Sequence, residues 1–465
     1  MSQVSPASEA TDPKPESTMP HAPTALPGST APSRPTDSYE HTAPISSSVP
    51  PDPTTPTDSS RSPEPIGLSE AEAESTETGL AHPLGAGVVT ALVGFTSSFA
   101  VVLGGLTAVG ATSAQAASGL LAICVTQAVG MMLLSYRYRM PITLAWSTPG
   151  AALLASTGAV SGGWAAAVGA FALAGVLIVI TGLWQRLGRL VAAIPVEIAQ
   201  AMLAGVLLPL CLAPVKAVQT SPAVVVPVIV VWLVLHRVAK RWAVIAAFAT
   251  AAVGAGISIT VQHKDLDLAA MAPSIELTLP HWNWQAMIGV AIPLYIVTMA
   301  SQNLPGIAVM SSFGYQVPWR AAMSVTGIGT ILGAPAGGHA INLAAISAAL
   351  SAAPAAHPDP KRRWIVAFTA GATYLVLALG SAALVTLIAT APKGTLETVA
   401  GLALLATLAT ALAGALKSEQ HREAGIVTFL IAASGVGFLG IGAAFWALIA
   451  GLVVRQVLTH RAARR

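Results

Sequence analysis

From Leu84 to near its C-terminus the chain is almost continuously apolar, and this feature constrains the fold more than any other. Only 9% of the residues are charged, whereas an ordinary soluble domain carries about 25%. One bilayer crossing requires about 20 predominantly apolar residues, and the apolar region has room for many crossings. The sequence therefore predicts an all-α polytopic membrane protein.

Residues 1–80 differ in composition from the rest of the chain. They are rich in Pro, Ser, Thr and acidic residues and carry a net charge of −9, whereas residues 81–465 carry +12. A segment without apolar periodicity cannot bury enough surface to offset its chain entropy, so we expect a disordered cytoplasmic tail. It also lacks the basic region and apolar run of a signal peptide. The basic charge of the remaining chain indicates loops beside the membrane, not nucleic-acid binding.

Polar residues, Gly and Pro divide the apolar region into fourteen predicted spans, with seven in each half. The spans are 85–109, 115–135, 142–158, 161–184, 194–213, 221–238, 241–262, 285–311, 318–334, 338–353, 363–390, 394–416, 424–439 and 440–458. The first half covers 84–262, the second covers 285–460, and the polar linker 263–284 joins them. Because seven is odd, the halves would have opposite orientations, as in the inverted repeats of many secondary transporters.

The distribution of basic residues supports this numbering. With a cytoplasmic N-terminus, 17 of the 20 Lys and Arg residues after residue 80 fall in cytoplasmic loops or at the C-terminus. Only Lys216, Lys264 and Lys393 fall in the predicted external loops. Cytoplasmic loops carry an excess of Lys and Arg. We therefore expect a multi-pass protein of the inner (plasma) membrane with both termini in the cytoplasm.

The third and tenth predicted spans are unlike ordinary membrane helices, because Gly and Pro interrupt both segments, 141–156 and 333–347. Interrupted segments at matching positions of two halves are the best sequence indication of a transporter's binding site. Two half-helices would direct free N–H groups and positive dipole ends toward an anion. The candidate substrate-binding residues are Ser147, Thr148, Pro149 and Gly150 in the third span and Gly338, His339 and Asn342 in the tenth. The alternative is a pair of structural kinks, since Gly and Pro are common in membrane helices.

Polar residues in the eighth and first spans add further candidates. Gln302 and Asn303 are adjacent amides in mid-span, which are costly in lipid unless they face a partner or a cavity. They would bind substrate or tie helices together. In the first span Ser97 and Phe95 are candidates, the latter for contact with an aromatic ring, although core packing explains a Phe equally well.

Proton coupling has two candidate residues. His339 is the only histidine well inside a predicted span, and its ordinary pKa of about 6.5 suits reversible proton binding. The alternative is a neutral imidazole hydrogen-bonded between helices. Glu197, near the start of the fifth span, is the second candidate, and an interfacial carboxylate at a helix N-terminus is its alternative interpretation.

Motifs for other functions were not found in the sequence. It contains no nucleotide-binding, zinc-ligand or nucleophile motif, and Cys124 and Cys211 both sit in apolar runs. We therefore predict no enzymatic activity, no cofactor and no metal, with transport driven by an ion gradient. A passive anion channel and a membrane enzyme are the alternatives from other classes.

Three stretches, 145–154, 301–309 and 333–342, closely resemble signature blocks of the benzoate/proton symporter (BenE) family. The resemblance covers about 84–460 and implies import of benzoate, or a similar aromatic carboxylate, with protons. The family is related in fold to the uracil/proton and nucleobase/ascorbate symporters. This relation implies a core domain of spans 1–4 and 8–11, a gate domain of spans 5–7 and 12–14, and short antiparallel strands in spans 3 and 10. A homodimer is implied by analogy only.

The chain departs from the nucleobase symporters at two positions. Those proteins place carboxylates where this sequence has Gln302 and His339. A carboxylate substrate would be repelled by a carboxylate and attracted by amide or imidazolium donors. The leading expectation is therefore an aromatic carboxylate as substrate, with another organic anion or a nucleobase-like ring as the alternative.

Overall fold

The computed structural model describes residues 81–262 and 269–462. The predicted tail, 1–80, and part of the predicted linker, 263–268, lie outside the described residues. The described part of the chain is mainly helical and contains two strands of three residues each.

Apart from short 3₁₀ turns, the described residues form sixteen helices and two strands. They are α1 (Ala81–Ala108), α2 (Ser113–Tyr138), β1 (Leu144–Trp146), α3 (Thr148–Thr157), α4 (Gly163–Leu183), α5 (Gln185–Ala192), α6 (Val196–Thr220), α7 (Pro222–Val238), α8 (Ala243–Gln262), α9 (Trp284–Ser312), α10 (Trp319–Gly333), β2 (Ile341–Leu343), α11 (Ala345–Ala352), α12 (Trp364–Leu379), α13 (Ser381–Thr390), α14 (Thr395–Ala415), α15 (Arg422–Ser434) and α16 (Ala443–Ala462).

Seven of these described helices are long and apolar enough to cross a bilayer by length and composition. An eighth crossing results if two apolar stretches bent by 52° at a break near Gly380, 360–379 and 381–388, form one span. Two further apolar helices, α7 and the segment Ala443–Thr459, are shorter. The chain is thus a mainly helical, polytopic membrane protein, and its division into fourteen spans stays a prediction.

The two broken segments contain the two strands, as the resemblance implied. β1 and β2 pair antiparallel, with Leu144 opposite Leu343, Ala145 opposite Asn342 and Trp146 opposite Ile341. Irregular backbone at membrane depth requires cover by protein or a cavity, and both strands are largely buried. A short helix follows each strand, so the N-termini of α3 and α11 lie at opposite ends of the two-stranded ladder.

Three local features of the backbone bear on the broken segments and on α9. The second half-helix begins at Ala345, beyond β2, and not at the glycines near Gly338. Gly337 adopts φ 91°, a left-handed conformation that glycine accommodates without a Cβ clash. α9 contains two π-helical segments, Met287–Ala291 and Met299–Asn303. π-Helical turns are rare and frequently occur at functional sites.

Close helix contacts hold the half-helices in place. Gly105 of α1 lies against the backbone carbonyl of Ala151 in α3, where a Cβ atom would clash. At the neighbouring Gly104, an added Cβ atom would meet only open space. α1 thus approaches α3 at backbone distance through one glycine, as small residues allow in membrane helix packing.

Candidate substrate-binding site

A cavity of about 160 Å³ lies beside the paired strands. On one side it is lined by residues of α1, β1, α3, α9 and α11, and on the other by residues of α6 and α14. Four of the residues predicted from the sequence line it, namely Ser97, Thr148, Pro149 and Gln302. The cavity therefore lies at the broken segments, where the sequence placed the site.

The N-terminus of α3 has a side-chain cap. Ser147 is the N-cap, and its hydroxyl accepts a hydrogen bond from the Gly150 N–H at 3.1 Å. The same hydroxyl accepts a second hydrogen bond from Thr298 at 2.8 Å. Pro149 has no N–H to offer. This cap fixes α3 to α9 and leaves few donors for a ligand, although Thr148 lines the cavity.

The N-terminus of α11 is open by comparison. Its N-cap residue, Ala344, has no capping side chain. The Ala344 N–H donates a hydrogen bond to the Thr143 carbonyl at 3.0 Å. The next three residues, Ala345, Ile346 and Ser347, line the cavity. First-turn N–H groups have no partner within a helix and bind anions well. Together with the Ser347 hydroxyl, they make this end of the cavity suited to an oxyanion.

An aromatic residue, Trp146, is among the residues that line the cavity. Its side chain is buried, and the indole N–H donates a hydrogen bond to Ser98 at 2.8 Å. Phe95 and Tyr374 pack edge-on against this ring at centroid distances of 5.7 and 5.9 Å. Phe95 also stacks on Phe99. Phe95 thus supports Trp146 from behind and is not among the described lining residues.

The two adjacent amides of α9 have different environments. Gln302 lines the cavity. Asn303 is fully buried, and its side-chain oxygen accepts a hydrogen bond from the Leu343 N–H at 2.8 Å. Asn303 therefore ties α9 to β2. Both residues belong to the π-helical segment, which shifts the register of the helix at this turn.

The remaining candidates lie behind the strands or farther away. Gly338 donates its N–H to the Gly333 carbonyl at 2.9 Å. Asn342 is buried and donates to the Leu343 carbonyl, whereas its side-chain oxygen has no partner among the described residues. Gly150 serves the α3 cap. None of these three is among the described lining residues of the cavity.

The two candidates for proton coupling do not line the cavity in this conformation. His339 is 1% exposed, packs edge-on against Phe171 at a centroid distance of 6.4 Å, and makes no ring hydrogen bond within the described part of the chain. Glu197 lies partly exposed in the first turn of α6. The structure thus separates both groups from the four predicted residues that it brings together.

Sequence reasoning missed several lining residues, chiefly Trp146, Ser347, Leu207, Leu404 and Thr407. Trp146 directly precedes Ser147 in the broken segment, so an unusual Trp in that segment was the available signal. Leu207 of α6 and Leu404 of α14 carry no signal, because apolar residues surround them in both helices.

The cavity has no acidic wall. Among the described residues that line it, none is Asp or Glu. Within the same described ranges, no group of three or more His, Cys, Asp and Glu residues is arranged to hold a metal ion. The polar groups that line the cavity are therefore hydroxyls, an amide and helix N–H groups, which favour an anion.

A polytopic membrane fold with a small cavity beside two half-helices is typical of a membrane transport protein. Residues 79–457 match the sequence model of the family described as benzoate membrane transport protein, so the chain belongs to that family.

Two known proteins are similar to the chain over most of their length. Inner membrane protein YdcO of Escherichia coli is 38% identical over 376 residues, which cover 80% of this chain and 95% of that protein. The benzoate membrane transport protein of Acinetobacter baylyi is 29% identical over 337 residues, covering 72% of this chain and 85% of that protein.

Solved structures of anion transporters share the fold. The transmembrane domain of the cyanobacterial bicarbonate transporter BicA has a TM-score of 0.52 at 18% identity, covering 82% of this chain and 97% of that domain. SLC26A9 has a TM-score of 0.56 at 14% identity, covering 82% of this chain and 65% of that protein. The expected relation in fold to the uracil symporters stays a prediction.

Proposed function

We propose that the chain imports benzoate, or a similar aromatic carboxylate, together with protons. The observation that carries this proposal is a cavity that has Trp146 among its lining residues and an uncapped helix N-terminus at Ala345. The A. baylyi relative is named as a benzoate transport protein, and the family description agrees with the same substrate class.

The size of the cavity supports a substrate with one ring. Its volume is about 160 Å³, and an apolar protein cavity of about 150 Å³ accommodates a benzene-sized ligand. The ring would lie against Trp146, and the carboxylate would accept hydrogen bonds from the first turn of α11 and from the Gln302 amide. Charge-assisted hydrogen bonds of this kind are the stronger ones.

Another anion is the second candidate substrate, because one solved neighbour in fold is a bicarbonate transporter. Trp146 distinguishes the two proposals, since a small inorganic anion gains nothing from a tryptophan face. A nucleobase is disfavoured because the described lining residues include no carboxylate to accept its N–H groups.

The proposed mechanism uses the two repeats predicted from the sequence. β1 with α3 would form the third of fourteen spans, and β2 with α11 the tenth, in inverted repeats of seven spans each. Leu207 of α6 and Ala403, Leu404 and Thr407 of α14 would line the cavity from the gate domain, and the remaining lining residues would come from the core domain. Rocking of the two domains would then give alternating access. Cytoplasmic termini, an inner-membrane location and a homodimer belong to the same proposal.

Proton coupling is assigned to His339, with Glu197 as the alternative. His339 lies two residues before β2, whose partner Asn303 is next to Gln302. Coupling would therefore act through the backbone of β2 and not by direct contact with the substrate. The described lining residues include no ionisable side chain that competes for this role.

Equilibrium binding to the purified protein tests the substrate class. The ligands are benzoate, benzamide without the charge, cyclohexanecarboxylate without the aromatic ring, and uracil. We expect benzoate to bind at least about tenfold more tightly than benzamide or uracil, because the hydrogen bonds to a charged acceptor are lost in both. Equal binding of benzoate and cyclohexanecarboxylate would remove the aromatic preference, and tighter binding of uracil would overturn the proposal.

A further inference from the structure

A second, larger cleft lies at the end of the molecule that the proposed orientation places in the cytoplasm. Its volume is about 890 Å³, compared with about 160 Å³ for the cavity at the broken segments. We propose that this cleft binds the phosphate headgroup of an anionic phospholipid. The residues that carry the proposal are Arg189, Arg320, Trp319 and Tyr138.

Two arginines supply the positive charge of the cleft. Arg189 comes from α5 and Arg320 from the first turn of α10, so elements distant in sequence bring them together. Both are exposed, and neither takes part in an ion pair within the described ranges. None of the described lining residues of the cleft is acidic. Guanidinium groups bind phosphate oxygens in a bidentate manner.

The start of α10 provides further donors. Its N-cap is Pro318, which makes no side-chain capping hydrogen bond, and the next residues, Trp319, Arg320 and Ala321, all line the cleft. The helix has 15 residues. First-turn N–H groups and the positive end of the dipole favour an oxyanion, and here they act beside the two arginines.

The surroundings of the cleft indicate a lipid and not a soluble phosphate. α5 and the residues just before it expose large apolar side chains, with Leu183 61%, Trp184 55% and Leu190 66% exposed. Trp and Tyr concentrate at the headgroup level of membranes, and both Trp319 and Tyr138 line the cleft. The Trp319 indole donates to the Thr181 carbonyl at 3.3 Å, which orients its ring. Basic pockets between membrane helices bind anionic headgroups.

The position of the cleft links lipid binding to transport. Leu304 lines the cleft and lies two residues after Gln302, which lines the other cavity. α5 also connects α4 to α6, and therefore the proposed core domain to the proposed gate domain. A headgroup bound here would contact both the substrate helix and the connection between the domains. This consequence rests on the proposed function, whereas the binding itself does not.

Native mass spectrometry of the full-length protein tests the binding without any substrate. The probes are phosphatidylglycerol, which is anionic, phosphatidylcholine, which is neutral, and glycerol phosphate as a soluble competitor. The paired variant Arg189→Gln with Arg320→Gln is compared with the paired control Arg186→Gln with Lys361→Gln, which loses the same charge at exposed sites outside the lining of the cleft.

We expect the wild type and the control to retain phosphatidylglycerol over phosphatidylcholine, and the paired cleft variant to lose at least about tenfold of this preference. Each single substitution, which perturbs folding less, is expected to lose about threefold. An equal loss in the control would assign the effect to net charge and overturn the site. Displacement of the lipid by equimolar glycerol phosphate would identify a soluble phosphate site and overturn the lipid assignment. Because no transport is measured, failure here leaves the proposed function untouched.

Discussion

The side chain at position 302 controls the charge of the cavity wall. Gln302→Glu replaces an amide by a carboxylate of the same size, and two like charges about 4 Å apart repel by about 4 kcal/mol at an effective dielectric constant of 20. We therefore expect benzoate affinity to fall at least about tenfold at neutral pH. Competition binding to the purified protein measures this loss, with Gln302→Met as the uncharged control. A larger loss in the Met variant than in the Glu variant would contradict an anionic substrate.

The orientation of Trp146 depends on one hydrogen bond. In Ser98→Ala the buried indole N–H loses its acceptor, which lay at 2.8 Å, at a cost of about 1–3 kcal/mol. We expect an increase in KM for benzoate of about fivefold or more, without loss of folded protein. Ser135→Ala is the matched control, because Ser135 is buried in α2 and, among the described residues, its hydroxyl bonds to carbonyls of its own helix. An unchanged KM in Ser98→Ala would remove Trp146 from substrate binding.

At the scale of single elements, the close packing of α3 against α1 depends on one glycine. Gly105→Ala would place a methyl group against the Ala151 carbonyl, whereas Gly104→Ala meets open space. Overpacking costs about 1–3 kcal/mol, so we expect a lower Tm and weaker benzoate binding for Gly105→Ala. Gly104→Ala should be neutral or slightly stabilising, since alanine favours a helix by about 1 kcal/mol over glycine. Equal behaviour of the two variants would contradict the close contact.

The C-terminal end of α11 is held by a buried arginine. Arg363, 6% exposed, donates hydrogen bonds of 2.8 Å to the carbonyls of Ala352 and His357. Nearby, Tyr315 donates to the Pro360 carbonyl at 2.9 Å. Burial raises the pKa of the Tyr315 phenol, and the positive charge of Arg363 opposes that rise. The phenol therefore stays protonated at neutral pH and keeps this hydrogen bond.

Removing the guanidinium should loosen α11. Arg363→Gln leaves buried carbonyls without a charged donor, and hydrogen bonds to charged groups contribute about 1.5–3 kcal/mol each. We expect a clear drop in Tm together with weaker benzoate binding, because the first turn of α11 lines the cavity. Arg362→Gln is the control, since that side chain is 55% exposed. A drop in Tm without any change in binding would show that α11 does not position the substrate.

The elements at the site were predictable from the sequence to different degrees. The Pro and Gly residues of 141–156 and 333–347 break helical periodicity, so the position of the half-helices and the cap at Ser147 could be predicted. The start of α11 could not, because a strand of three apolar residues cannot be told from a helical turn by pattern. The π-helical turn at Met299–Asn303 adds one residue to a turn and leaves no compositional trace. The contribution of α6 and α14 could not be predicted for a similar reason, since Leu207 and Leu404 lie among other apolar residues in these helices.

At the scale of the whole molecule, composition was sufficient for the class and insufficient for the count of spans. A charged fraction of 9% predicts a polytopic membrane protein, and seven or eight described helices satisfy the length and hydropathy expected of a crossing. A span made of a strand and a short helix does not meet the length required of a single membrane-crossing helix, because neither piece reaches about 20 residues. The fourteen-span arrangement therefore depends on the charge distribution and on the inverted repeat.

Proton-driven accumulation of an aromatic carboxylate requires the whole molecule. The most direct measurement is uptake of labelled benzoate into proteoliposomes with an imposed inward proton gradient, for the wild type and His339→Gln. We expect the wild type to accumulate benzoate above its external concentration and to lose this accumulation when a protonophore is added. His339→Gln should still exchange benzoate without concentrating it. Equilibration of benzoate without accumulation in the folded wild type would contradict symport and indicate a passive pathway.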